Sequence, residues 1–291
     1  MTERMITVRG VRLCAESFGD PDRPPVLLIM GTGASMLWWE DDFCRLLAAQ
    51  GRFVIRYDHR DTGRSVTYEP GCPGYDAGDL VRDAAGVLDA FGVRAAHLVG
   101  VSAGGALAQL VALDHPGRVV TLTLISTTFA VPAPGGRDLP GPSRAFADFA
   151  REAEPDPAGR APAADHLVEY ARMLTGGRRP FPEREVRELV RADLGRALDP
   201  ASARNHDLLA DAPRERPPLS GLGVPTLVVH GGADPMFPLA HGRALAGEIP
   251  GARLLVLPGS GHGVERADWA VLASAIREHT GRPHPPTGEA G

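Results

Sequence analysis

Ala96-His97-Leu98-Val99-Gly100-Val101-Ser102-Ala103-Gly104 decides the fold. An apolar strand runs into Gly-x-Ser-x-Gly, and the chain continues at once into the apolar helix Gly105-Ala106-Leu107-Ala108-Gln109-Leu110-Val111. Strand, Gly-x-Ser-x-Gly and helix in that order are the signature of a nucleophile elbow. The turn is so tight that the serine hydroxyl is pushed out at the top of a sheet. The flanking glycines carry no Cβ that could collide with neighbouring backbone. With 35 glycines in 291 residues the pentapeptide alone arises easily by chance. Its place between a buried strand and an apolar helix is what gives it weight.

A serine hydroxyl is a poor nucleophile until a positioned base takes its proton, and that base needs an orienting carboxylate. On this kind of sheet the partners follow in the order serine, acid, histidine, at the carboxyl ends of strands. Two places qualify. Gly231-Gly232-Ala233-Asp234-Pro235 follows the strand Pro225–His230 and presents Asp234. Pro258-Gly259-Ser260-Gly261-His262-Gly263 follows the strand Ala252–Leu257 and presents His262. Taken alone, Asp234 fits ordinary turn chemistry and His262 is one of ten histidines; the joint order with Ser102 makes the case. Asp58 also ends a strand, but one that precedes the elbow, so it is the second choice of acid. The oxyanion needs two amides: Ala103, after the nucleophile, and one from Met30-Gly31-Thr32-Gly33, with Thr32 ahead of Gly33. Trp38 and Trp39 read either as a pocket wall or as plain packing. In the polar run Asp58-His59-Arg60-Asp61-Thr62-Gly63-Arg64-Ser65, Asp58 and Arg60 are expected to brace the oxyanion loop. His59, His97, His115, His206, His241, His279 and His284 read as structural or solvated.

Composition narrows the chemistry. A hydrophobic content of 43% over 291 residues supports a large core. No run of ~18 apolar residues predicts a membrane span. The N-terminus lacks a secretory pattern, so the expected setting is cytoplasmic. Net charge is −5 and the basic residues are scattered, which argues against a nucleic-acid surface. Cys14, Cys44 and Cys72 suit reduced thiols better than disulfides or a zinc site. No lysine occurs in the chain, which excludes Schiff-base catalysis. No metal-ligand spacing, Rossmann pattern or P-loop appears, so no metal or cofactor is expected.

The rest of the chain alternates strand and helix, predicting a mostly parallel sheet with helices on both faces. A hairpin around Arg9-Gly10 opens it. The alternation lapses between Thr127 and Gly223, a stretch rich in proline, alanine, arginine and charge with four helical patterns, the last over Ala201–Leu209. The expected organisation is a core of residues 1–127 and 223–280, a helical cap over 128–222 and a disordered tail over 281–291.

On these motifs the chain resembles the α/β-hydrolases over about residues 5–280. Tyr57–Ser65, the Met30-Gly31 turn, Asp114-His115-Pro116-Gly117-Arg118-Val119 and Arg204-Asn205-His206-Asp207 make it similar to the aclacinomycin methylesterase group of polyketide pathways. The resemblance implies cofactor-independent cleavage of a methyl ester on a bulky aromatic polyketide, with the triad on Ser102, Asp234 and His262. Its partner would be a small-molecule ester, with monomer and homodimer both open. C–C bond hydrolysis, lactonase, perhydrolase or cyclase chemistry on the same triad stays an alternative, as does a non-catalytic binding protein.

Overall fold

The computed structural model describes residues 3–132, 138–152, 164–210 and 215–282. Its centre is an eight-stranded sheet in the order β1-β2-β4-β3-β5-β6-β7-β8. The strands are β1 Arg4–Val8, β2 Val11–Phe18, β3 Pro25–Ile29, β4 Phe53–Tyr57, β5 Ala96–Val101, β6 Val119–Ile125, β7 Thr226–Gly231 and β8 Arg253–Leu257. β1 pairs antiparallel with β2, and β2 with β4; every pairing from β4 to β8 is parallel. Arg9 and Gly10 both take positive φ, 49° and 85°, the geometry a two-residue hairpin needs.

Side-chain alternation splits the core between the sheet's two faces. Leu27, Ile29, Leu98 and Val228 point to the face covered by α2 (Ala77–Ala90), α3 (Ala103–Asp114) and α7 (Ala240–Glu248). Val26, Leu28, Val99 and Val229 point to the face covered by α1 (Asp41–Ala49) and α8 (Trp269–Thr280). Between β6 and β7 the described chain forms α4 Arg144–Glu152, α5 Ala164–Leu174, α6 Glu183–Arg196 and, over Pro200–Leu208, a 3-10 helix where the sequence showed the last of its four helical patterns. The tail expected over 281–291 lies outside the described residues from position 283 onward.

Every basic residue in this interior is an arginine, and the pairings use its planar fork. Arg60 binds Asp83 of α2 through two hydrogen bonds of 2.7 and 2.9 Å, both side chains buried. Arg196 of α6 lies 2.7 Å from Asp58 and 2.6 Å from Glu3, tying the helical stretch to the sheet. Histidines are enclosed as well, among them His59, His206 and His230. His59 donates Nε2–H to Met30 O at 3.0 Å. Burial, with His206 beside it, pushes its pKa from 6.5 down to about 3. Burial also lowers His206 and His230.

Replacing Asp83 by alanine strands a buried guanidinium, so the urea midpoint should fall by the equivalent of about 3–5 kcal/mol. For the histidines the folded pKa lies below the unfolded one. The unfolded chain therefore takes up protons first as pH drops through 6.5, and stability is full above that value and lost below it. The loss approaches about 1.4 kcal/mol per pH unit for each such group. Urea titrations at about pH 7.5 and about pH 5.5 should show this fall. It should be shallower in His59→Gln, which keeps a donor for Met30 O.

Candidate active site

The Gly100–Gly104 turn leaves β5 and enters α3 with Ser102 at φ 54°, ψ −124°, a left-handed conformation that an L-residue holds only when its surroundings enforce it. The enforcement is visible. A Cβ on Gly100 would stand 2.2 Å from Gly104 O, and one on Gly104 would stand 2.2 Å from Ile29 O. Ser102 N donates to Ile125 O at 2.9 Å, and Thr127 Oγ1 donates to Ser102 O at 2.7 Å. The strained residue is thus clamped to the end of β6.

Asp234 sits just past β7. Its Oδ1 accepts the Met236 and Phe237 amides at 2.9 and 2.8 Å, and its Oδ2 lies 2.9 Å from His262 Nδ1. A carboxylate that accepts from Nδ1 places the proton there and leaves Nε2 as the lone-pair nitrogen. His262 Nε2 is buried and makes no hydrogen bond, to Ser102 Oγ or to any other described group. The turns carrying acid and base are stitched together: Ala233 N donates to Ser260 O at 2.9 Å. They are also fixed to the end of α5, because His262 N donates to Leu174 O at 2.7 Å. Gly261 fits only as glycine, since its Cβ would meet Leu174 O at 2.0 Å.

The loop after β3 passes over the serine so closely that a Cβ on Gly31 would lie 3.2 Å from Ser102 Cβ. Ala103 is the first residue of α3, and a first-turn amide has no acceptor within its own helix. The Gly33 amide is already committed, donating to His206 Nδ1 at 3.0 Å. Ser102, Ala103, Thr32, Gly33, Trp38 and His262 all line one cavity of about 1640 Å³, walled mainly by apolar side chains from α5, α6 and the loops.

Several expectations change. Trp38 lines the cavity, its Nε1–H bound to Asp193 Oδ2 at 2.8 Å. Trp39 does not: it is 1% exposed and stacks on Phe43 at 5.8 Å within the core. The two follow each other on a short 3-10 turn, so their rings leave in different directions. Asp58 is no alternative acid. Its oxygens accept the Met36 and Arg64 amides and pair with Arg196. Through the Met36 amide it holds the far end of the loop that follows β3, whereas the Arg60 side chain is spent on Asp83. His206 reaches the loop after β3 through the Gly33 amide, a contact that sequence reasoning missed. Its one signal was its place in the Arg204-Asn205-His206-Asp207 run. All three cysteines are free. Among the described residues no cluster of three or more His, Cys, Asp or Glu could hold a metal, and no helix is long and apolar enough to cross a membrane.

Comparison with known proteins speaks to the family and the fold. Residues 24–264 match the model of the alpha/beta hydrolase fold family. The chain is 40% identical over 296 residues to rhodomycin D methylesterase DauP of Streptomyces sp. (strain C5), covering 96% of this chain and 98% of that one. It is 38% identical over 295 residues to rhodomycin D methylesterase DnrP of Streptomyces peucetius, covering 96% and 98%. Among solved structures, an esterase from Exiguobacterium antarcticum superposes with a TM-score of 0.75 at 21% identity, covering 96% of this chain and 99% of that one. A meta-cleavage product hydrolase from Pseudomonas fluorescens IP01 gives 0.72 at 22%, covering 95% and 96%. At that identity these two speak for the fold alone. With a family match over most of its length and relatives near 40% identity along nearly the whole of it, the chain belongs to the α/β hydrolase fold family.

Proposed function

We propose that the chain is a serine esterase that cleaves the methyl ester of a bulky, polyketide-type small molecule. The observation that carries the reading is the 2.9 Å Asp234–His262 pair, which leaves His262 Nε2 without a hydrogen-bond partner in a residue that lines the same cavity as Ser102. Ester hydrolysis is supported by the two methylesterase relatives. A bulky substrate is supported by a cavity of about 1640 Å³, larger than the ~300–1,000 Å³ of an ordinary ligand pocket. In this reading residues 128–222 form a cap over a core of 1–127 and 223–280.

The chemistry follows from the placement. Ser102 Oγ attacks the ester carbonyl as its proton passes to His262 Nε2. Asp234 steadies the imidazolium, itself kept from turning by the Met236 and Phe237 amides. The carbonyl oxygen, now negative, is held by the Thr32 and Ala103 amides. Collapse of the tetrahedral adduct expels methoxide, which takes the proton from His262 and leaves as methanol. Water, deprotonated by His262, then attacks the acyl-serine; the second adduct collapses, Ser102 Oγ leaves with the proton returned by His262, and the carboxylic acid is released. Bonds and protons balance without a cofactor.

Purified protein should hydrolyse a short chromogenic ester and take up one equivalent of a serine-directed phosphonate, seen by intact mass and mapped to Ser102. Ser102→Ala should lose both, with turnover falling on the order of 10⁴-fold or more. Hydrolysis that survives in Ser102→Ala would remove Ser102 from the mechanism. On a panel of polycyclic polyketide methyl esters, kcat/KM should exceed that for methyl esters of small acids. Equal values would overturn the substrate class.

A further inference from the structure

The 3-10 helix over Pro200–Leu208 projects one buried ring onto the oxyanion loop. His206 Nδ1 accepts the Gly33 amide at 3.0 Å, and its Nε2–H donates to Arg60 O at 2.8 Å. Both nitrogens are therefore used, and the tautomer is fixed by its partners. The segment that carries the ring is itself pinned to the 58–71 loop. Ser202 Oγ donates to Tyr68 O at 2.6 Å, Asn205 Nδ2 to Asp61 Oδ2 at 3.0 Å, and Gly71 N to Asn205 Oδ1 at 2.7 Å. At the other end of the loop His59 Nε2–H donates to Met30 O at 3.0 Å, and the two histidine rings meet edge-on at 5.9 Å.

These bonds fall on particular peptide units. His59 holds the carbonyl of the Met30–Gly31 peptide. His206 holds the N–H of the Thr32–Gly33 peptide. Between them lies the Gly31–Thr32 peptide, the unit that carries the Thr32 N–H. Glycine stands on both sides of Thr32, and Gly33 adopts φ +67°, so backbone sterics alone leave this peptide free to rotate away. A donor contributes to the transition state only when it is already aimed at the developing oxyanion. From this placement we infer that His206 is a positioning residue for catalysis: by accepting the Gly33 amide it holds the Thr32 N–H toward the oxyanion site, and so makes the oxyanion hole depend on the Pro200–Leu208 segment. The inference rests on the serine-esterase reading with Thr32 as oxyanion donor.

Asparagine and glutamine separate this role from simple packing, because the asparagine oxygen replaces Nδ1 and the glutamine amide replaces Nε2–H. His206→Asn keeps the acceptor for Gly33 and loses the donor to Arg60 O. His206→Gln does the reverse. His206→Leu loses both. The inference expects kcat to fall on the order of 10- to 100-fold in the Leu and Gln variants, with KM within about twofold. His206→Asn should recover most of the loss. Affinity for a boronic acid whose adduct with Ser102 places an oxygen in the oxyanion hole should fall in step with kcat, while affinity for the carboxylic acid product holds. Equal losses in Asn and Gln, or losses confined to KM or to the thermal midpoint, would overturn the inference. Unchanged kcat in Gln would do the same. If His206→Leu does not fold, the Asn and Gln pair carries the comparison. Wild-type protein that neither turns over ester nor accepts a phosphonate at Ser102 would instead sink the esterase reading, so the two failures look different.

Discussion

The structure depends on one steric constraint, the passage of β5 into α3 through a turn that leaves no room for side chains beside Ser102. Gly100 and Gly104 sit against backbone carbonyls at distances a Cβ could not occupy. Those contacts let α3 pack almost onto the end of β3, and β3 then delivers Met30–Gly33 directly over the serine. Ser102 holds its positive φ because β6 grips it on both sides, through its amide and through its carbonyl. Strain at this one residue is balanced by ordinary sheet and helix bonds around it.

The places of Ser102, Asp234 and His262 were legible because each lies at the end of a strand, and buried parallel strands announce themselves as apolar runs such as Leu227-Val228-Val229. Glycine followed by a polar residue marks where such a run stops and presents a side chain. The order of strands in space was not legible. Nothing local tells β3 to lie between β4 and β5, or β2 to pair antiparallel with β4. That order follows from right-handed crossovers and from which apolar faces α1 and α2 must cover. Trp38 and Trp39 show the limit at the scale of one residue. Both are large and apolar, and only the 3-10 geometry decides that the first borders the cavity while the second packs on Phe43.

The stretch between β6 and β7 was the least readable part, for a physical reason. Its helices are short, arginine-rich and amphipathic, and much of what they bury is polar. Its registration on the sheet comes from hydrogen bonds and ion pairs whose partners are distant in sequence: Arg196 with Asp58 and Glu3, Arg179 with Asp268, and Leu174 O with His262 N. No periodicity encodes such pairings. A chain without lysine makes them with guanidinium forks, which bind a carboxylate in a fixed plane and lose less freedom per bond than an ammonium group would.

These attachments divide the candidate site into two halves held by different means. The Asp234 and His262 turns are fixed by backbone, each to the other through Ala233 and Ser260 and to α5 through Leu174, with side-chain support from Glu265 on the Gly261 amide and Asp268 on the Ser260 hydroxyl. The oxyanion loop is fixed by side chains, with His59 and His206 on its peptides and Asp58 on the Met36 amide. A backbone attachment tolerates most substitutions along it, because any residue but proline supplies the same N–H and carbonyl. A side-chain attachment fails with a single replacement. The halves meet at Ser102, which in the proposed reaction gives its proton to His262 on one side while the ester carbonyl it attacks turns to the Thr32 and Ala103 amides on the other. Sequence change among relatives of this fold should therefore fall unevenly. Beside Asp234 and His262 the glycines Gly231 and Gly261 must stay, because a Cβ on either would stand 2.0 Å from a backbone carbonyl, whereas the 30–36 loop can change only together with the histidines that hold it.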